Sequence, residues 1–98
     1  MDNLRYIIER VPVAARMEQL AEESVELAHA ALKLARIIRG ENPTPVLYMD
    51  ALRKLREEYT DVFTAAVAAE LLVDSDISRI KLDRWATRIR ENETEETE

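Results

Sequence analysis

Apolar residues recur every three or four positions along most of the chain, which is the spacing of amphipathic helices. The longest such segment ends near Arg39 and is apolar around most of its circumference. Its broad face holds Met17, Leu20, Ser24, Ala28, Ala31, Leu32, Ala35 and Ile38, and that surface is extended on one side by Leu27, Ala30, Leu34 and Ile37. Helices of this kind are buried on more than one side. In a chain of 98 residues, we expect the second side to contact another subunit.

Proline, glycine and capping residues divide the pattern into four predicted helices. Proline is tolerated in a first helical turn and glycine commonly follows a last one, so the second helix is expected to begin at Pro12 and to end before Gly40. The approximate predicted bounds are Asn3–Glu9, Pro12–Arg39, Thr44–Val73 and Ile77–Arg90. No segment alternates as a strand does. The predicted fold is all-α: a four-helix-bundle-like subunit, with two long helices and shorter flanking ones, that assembles as an oligomer.

Composition and charge narrow the class of protein. Residues 91–98 read ENETEETE and carry five of the acidic residues, so removing them changes the net charge from −6 to −1. We expect one domain over residues 1–90 and a disordered acidic tail over 91–98. No basic surface suited to a nucleic-acid polymer is evident. The N-terminus lacks the features of a signal peptide and no apolar run could span a membrane, so we expect a cytoplasmic protein.

Two pairs of acidic residues interrupt otherwise apolar helical surface. Glu23 and Glu26 lie three positions apart on the second helix, and Glu58 and Asp61 lie three apart on the third. If these helices pack antiparallel, four carboxylates meet inside the bundle and repel one another unless a cation neutralises them. Oxygen ligands without Cys or His suit Mg²⁺, with Mn²⁺ as a second candidate. The alternatives are a solvated helix face, or a polar cluster at the interface of a non-catalytic helical oligomerisation module.

The segments LAEESVELAHA and EEYTDVF resemble the MazG-like, all-α nucleoside triphosphate pyrophosphohydrolases. The family signature is ExxE on one helix and ExxD on the next, matched here by Glu23–Glu26 and Glu58–Asp61. The resemblance covers about residues 17–88 and implies a helical bundle that assembles as a homodimer or homotetramer. It also implies Mg²⁺-dependent cleavage of a (deoxy)nucleoside triphosphate to the monophosphate and pyrophosphate, as in nucleotide-pool housekeeping.

The resemblance and its chemistry also assign roles to individual residues. Many family members have a Lys near the C-terminus followed by an Asn. Here Lys81 is present, and Arg84 and Trp85 stand where the Asn is expected. Lys81 and Arg84 are therefore the candidate phosphate ligands. Either Glu22 or Glu26 could accept the proton of the attacking water.

Arg16, Gln19 and His29 on the second helix are further candidates for a role at the site. Arg16 and Gln19 lie one or two turns before Glu23 on roughly its stripe and could contact substrate. Glu26 and His29 form half of a di-iron carboxylate motif. Because the chain has one His, and His29 falls in the polar sector of its helix, we expect His29 to be a solvated residue.

Overall fold

The computed structural model describes residues 2–41 and 47–97, and the described part contains four helices and no strand. The helices are α1 (Asn3–Arg10), α2 (Val13–Arg39), α3 (Tyr48–Ala68) and α4 (Ser75–Thr97). The all-α prediction is confirmed, as are the bounds of the first two helices to within a residue. The predicted start of the third helix at Thr44 lies outside the described residues.

The third helix ends at Ala68, so its predicted extension to Val73 is wrong. Glu70 has a left-handed backbone with φ 60°. The Glu70 amide donates to the Val67 carbonyl and the Leu71 amide donates to the Ala66 carbonyl, both at 3.0 Å. These two bonds form a Schellman motif, the arrangement that terminates many helices, usually with glycine at the left-handed position. No glycine marks this point in the sequence, so the helical pattern alone does not predict the end of the helix.

The fourth helix is longer than predicted at both ends. The Asp74 carboxylate caps its first turn by accepting from the amides of Asp76 and Ile77, each at 3.0 Å. At the other end α4 continues to Thr97, whereas the predicted helix ended at Arg90. No Gly or Pro follows Ser75, and glutamate is a good helix former, so nothing local stops the helix at Arg90.

Helices α2 and α3 form the main tertiary contact, along a seam of buried or half-buried residues. The residues of this seam are Arg16, Leu20, Glu23, Leu27, Ala30, Leu34 and Ile37 on α2, and Ala51, Leu55, Glu58, Val62, Ala65 and Ala69 at α3. Their spacing alternates between three and four residues, as in a coiled-coil seam. Two carboxylates therefore occupy positions that normally hold apolar side chains.

The seam separates two faces of the antiparallel α2–α3 hairpin. We call the side formed by residues one position before each seam residue the carboxylate face, because it carries Glu22, Glu26, Glu57 and Asp61. The opposite side, one position after each seam residue, is the outer face. The outer-face residues are Met17, Ala21, Ser24, Ala28, Ala31, Ala35 and Ile38 on α2, and Leu52, Arg56, Tyr59, Phe63 and Ala66 on α3.

The broad face predicted as the core of α2 largely coincides with this outer face. The exposed residues of this face in the single chain are Met17, Ala28, Leu32 and Ile38. The prediction that this face packs in the core is therefore wrong for one subunit. The side that packs is the extension containing Leu27, Ala30 and Leu34, because it is the side that faces α3.

The chain is open for its size. Every described side chain of α4 except Ala86 is exposed, and Leu72, before this helix, is 93% exposed. The accessible surface is 8282 Å², whereas a compact monomer of this mass exposes about 5,700 Å². The radius of gyration is 18.2 Å, against about 12.6 Å for a compact domain of this length. Within the described ranges, no helix is both long and apolar enough to cross a bilayer.

Candidate metal centre

Three of the four carboxylates predicted to bind metal come together where α2 crosses α3. Oxygen atoms of Glu23, Glu26 and Glu58 all lie within 4.8 Å of one another. Glu23 and Glu58 are seam residues, and Glu26 lies beside them on the carboxylate face. The three side chains are half-buried, exposed and buried, respectively, so the cluster is anchored in the interior and open on one side.

The Glu58 carboxylate is the most deeply placed of the three, at 5% exposure. Its Oε1 accepts a hydrogen bond from Lys54 Nζ at 2.8 Å, while its buried Oε2 has no hydrogen-bond partner among the described residues. Glu23 shows the same division: Oε1 accepts from Gln19 Nε2 at 2.8 Å, and the buried Oε2 has no partner. Buried polar atoms are nearly always paired. Two unpaired carboxylate oxygens at one place could therefore accept a cation.

The charges of the cluster also suit a bound cation. Repulsion from Glu23, with a smaller contribution from Glu58, raises the pKa of Glu26 above its usual 4.5. The hydrogen bond to Glu58, and attraction to the same carboxylate, raise the pKa of Lys54 above its usual 10.5. One lysine thus meets three carboxylates. The excess negative charge and the all-oxygen donor set fit a hard divalent cation such as Mg²⁺.

Asp61, the fourth predicted ligand, lies on the same face but outside the group of three. Its side chain is exposed and lines a cavity of about 510 Å³ together with Glu23. We call this the apolar cavity, because α1, α2 and α3 supply its walls of Ile7, Val11, Ala15, Ala65 and Ala68. Glu22, predicted as a candidate base, is exposed on the carboxylate face and does not belong to the group of three.

Arg16 and Gln19 also line the apolar cavity, but their polar groups already have protein partners. Arg16 is 7% exposed. Its guanidinium donates to the Val11 carbonyl oxygen at 3.1 Å and to the Ala68 carbonyl oxygen at 2.9 Å. Arg16 thus joins the α1–α2 turn to the end of α3 and forms part of the cavity wall. Gln19 orients Glu23 through the bond described above.

A second cavity, of about 370 Å³, lies on the other side of the carboxylate group. Its lining residues are Glu26, His29, Ala30, Lys33, Lys54 and Glu58. We call it the cation cavity, because two lysines face it. Sequence analysis missed Lys54 and Lys33. The spacing of Lys54 four residues before Glu58 was a usable signal, since residues so spaced share a helix face.

Lys81 and Arg84, the predicted phosphate ligands, lie elsewhere. Both are exposed on α4, where they line a cavity of about 450 Å³ with Trp85 and Arg88. In this conformation α4 does not pack on the carboxylate face of its own chain. Trp85 is 63% exposed and is not a core residue within the subunit.

Comparison of the chain with protein-family models, with curated proteins and with solved structures finds no match. The chemistry of the site is therefore inferred from its own residues and from the resemblance of its two acidic motifs.

Proposed function

We propose that the protein is a Mg²⁺-dependent nucleoside triphosphate pyrophosphohydrolase of the MazG-like kind, which cleaves its substrate to a monophosphate and pyrophosphate. The observation that carries this proposal is the buried Glu58. One of its oxygens has no hydrogen-bond partner among the described residues, and a Glu58 oxygen lies within 4.8 Å of oxygens of Glu23 and Glu26. A carboxylate this deeply placed is costly without a cation. The acidic motifs on both helices supply the link to triphosphate chemistry.

In this proposal the carboxylates have two roles, metal binding and proton acceptance. Glu23, Glu26 and Glu58 hold the metal, and Asp61 extends the set on the side of the apolar cavity. A bound Mg²⁺ supplies Lewis-acid stabilisation of the phosphate oxygens and favours ionisation of water. Glu26, the most exposed of the three, or the neighbouring Glu22, accepts the proton of the attacking water. The water oxygen bonds to the α-phosphorus, and the bond between that phosphorus and the oxygen bridging to the β-phosphate breaks.

We also propose that the protein works as a homodimer or homotetramer. The surface of the chain exceeds the compact-monomer value by about 2,600 Å², which is more than the roughly 800 Å² that one partner contributes to a standard interface. The exposed outer face, with small residues on α2 and Tyr59 and Phe63 on α3, is the surface best suited to a second copy. Lys81 and Arg84 can reach a substrate in this conformation only from the α4 helix of a neighbouring subunit.

The experiment is a pyrophosphate-release assay on a panel of ribo- and deoxynucleoside triphosphates, with Mg²⁺ and with EDTA. Glu58→Gln keeps the side-chain shape and removes one metal ligand, and we expect turnover to fall by orders of magnitude. Glu57→Gln is the matched control, because Glu57 is its exposed neighbour outside the group of three. Absence of metal-dependent turnover by the wild type on every nucleotide would favour the non-catalytic interaction module instead.

A further inference from the structure

The cation cavity shares two of its walls with the proposed metal centre. Glu26 and Glu58 belong to both, while Lys33, Lys54 and His29 face only the cavity. A ligand in this cavity therefore lies beside the metal and meets positive groups on its other sides. Among the described residues, the one cation that lines the apolar cavity is Arg16, and its guanidinium is already hydrogen-bonded to two backbone carbonyls and paired with Glu70.

Lys54 is positioned to change partner when metal binds. Its ammonium hydrogen bonds to Glu58 Oε1 at 2.8 Å and lies 4.0 Å from Glu57. The Lys54 side chain is 60% exposed, while that of Glu58 is 6% exposed, so the lysine has open space around it and the carboxylate is enclosed. A divalent cation bound by Glu58 takes over neutralisation of that carboxylate. The ammonium is then left beside the metal without its main counterion.

An anion that bridges the metal and Lys54 satisfies both groups. A diphosphate has two linked phosphates, one able to contact the metal and the other able to contact a neighbouring ammonium. We propose that the cation cavity is the pyrophosphate subsite, in which Lys54 and Lys33 bind the β- and γ-phosphates of the substrate and then the pyrophosphate product. This inference rests on the proposed function and assigns the phosphate contacts to residues other than Lys81 and Arg84.

The position of the subsite also determines how the substrate is oriented along the carboxylate face. With the terminal phosphates in the cation cavity and the metal at the three glutamates, the space left for the nucleoside is the apolar cavity on the far side of Glu23. The α-phosphate then lies between the cavities, at the carboxylates. That order accounts for cleavage between the α- and β-phosphates rather than at the terminal phosphate.

The test is calorimetric titration of the full chain, first with Mg²⁺ alone and then with inorganic pyrophosphate in the presence of Mg²⁺. Lys54→Gln removes the cation that competes with the metal for Glu58, so Mg²⁺ alone should bind more tightly. The same variant should bind pyrophosphate about tenfold more weakly, as expected for loss of a charge-assisted hydrogen bond. A lysine with a structural role only would not shift the two affinities in opposite directions.

Three further variants make the assignment specific. Lys33→Gln should weaken pyrophosphate binding and leave Mg²⁺ affinity close to that of the wild type, and it serves as the second variant if Lys54→Gln fails to fold. Arg53→Gln, on the same helix and paired with Asp50 at 3.2 Å, is the control and should change neither affinity. Lys81→Gln tests the competing site on α4. The inference is overturned if Lys81→Gln weakens pyrophosphate binding while Lys54→Gln and Lys33→Gln do not.

Failure of this inference and failure of the proposed function give different results. Pyrophosphate binding that depends on Mg²⁺ and on Lys54, in a protein that cleaves no nucleotide, supports the subsite and removes the enzyme proposal. Turnover with unaltered pyrophosphate affinity in both lysine variants supports the enzyme and removes the subsite.

Discussion

The buried guanidinium of Arg16 donates a hydrogen bond to the Ala68 carbonyl oxygen at 2.9 Å, across 52 positions of sequence. It also lies 3.4 Å from the Glu70 carboxylate, just after α3. The last carbonyls of a helix have no partner within the helix, and Arg16 supplies one from α2. The same side chain is bonded to the Val11 carbonyl, so one residue links three parts of the fold beside the apolar cavity.

We expect Arg16→Met to lower the free energy of unfolding by about 2 kcal/mol, because it removes charge-assisted hydrogen bonds from buried carbonyl oxygens. Arg16→Lys should recover little, since one ammonium cannot reproduce the directed contacts of the guanidinium. Urea unfolding in EDTA measures both variants. If Arg16→Met is as stable as the wild type but loses substrate affinity, Arg16 is a binding residue, as the sequence suggested.

At Glu70 we expect a substitution to raise the free energy of unfolding. A non-glycine residue with φ near 60° carries a steric cost, and replacing it with glycine removes this cost. We expect Glu70→Gly to raise the free energy of unfolding by about 1 kcal/mol. The ion pair with Arg16 involves a carboxylate that is 60% exposed, so its loss should matter little.

Glu70→Ala is the matched control, since it removes the carboxylate and keeps the left-handed strain. It should not be more stable than the wild type in the same urea titration. Equal stabilisation by Ala and Gly would show that the carboxylate, and not the backbone, sets the effect.

The sequence was sufficient for the helices that have conventional end signals. Pro12 and Gly40 mark ends that the structure reproduces, because such end signals act locally. The sequence was insufficient at Glu70. This residue has the left-handed backbone that glycine usually adopts, and it lies in contact with Arg16 from another helix. The two acidic motifs could be read as neighbours because helical spacing fixes which side chains share a face. Their approach to within 4.8 Å also required the seam between α2 and α3.

The choice of packed face on α2 could not be made from sequence. Both the seam side and the outer face are apolar, so periodicity alone does not say which one meets α3 within the chain. Contact with α3 decides which side of α2 is buried. Leu34 is buried, whereas Ile38 on the outer face is 64% exposed. A second subunit would restore the burial that the pattern predicted.

Assembly through the outer face is tested with Ala28→Arg. Ala28 is exposed in the middle of that face, and a long charged side chain there should block close approach of another helix. We expect sedimentation equilibrium to show a dimer or tetramer for the wild type at micromolar concentration and a shift toward monomer for the variant. Glu18→Arg, on α2 away from the outer face, is the control and should leave assembly intact. A monomeric wild type would contradict the proposed oligomer.

The metal centre is tested most directly with Glu26→Gln, because this residue contributes charge to the group while remaining exposed. In EDTA the variant should melt at a higher temperature than the wild type, since it removes repulsion with Glu23 and Glu58. The pKa of Glu26 is raised in the fold, so the wild type loses stability relative to the variant as the pH rises through that value. The difference in stability between the two proteins should be present at pH 7. It should disappear below pH 4.5, the ordinary pKa of a glutamate.

Addition of Mg²⁺ should reverse this order. A ligand that binds only the folded state at a hundredfold excess over its dissociation constant stabilises by about 2.7 kcal/mol, or roughly 10–20 °C in melting temperature for a domain of this size. The wild type should gain this shift and Glu26→Gln should gain much less, because it has lost a ligand. Glu18→Gln removes the same charge outside the group and should follow the wild type. If Mg²⁺ raises the melting temperatures of the wild type and Glu26→Gln equally, the ion does not bind at the three glutamates and the proposed centre is wrong.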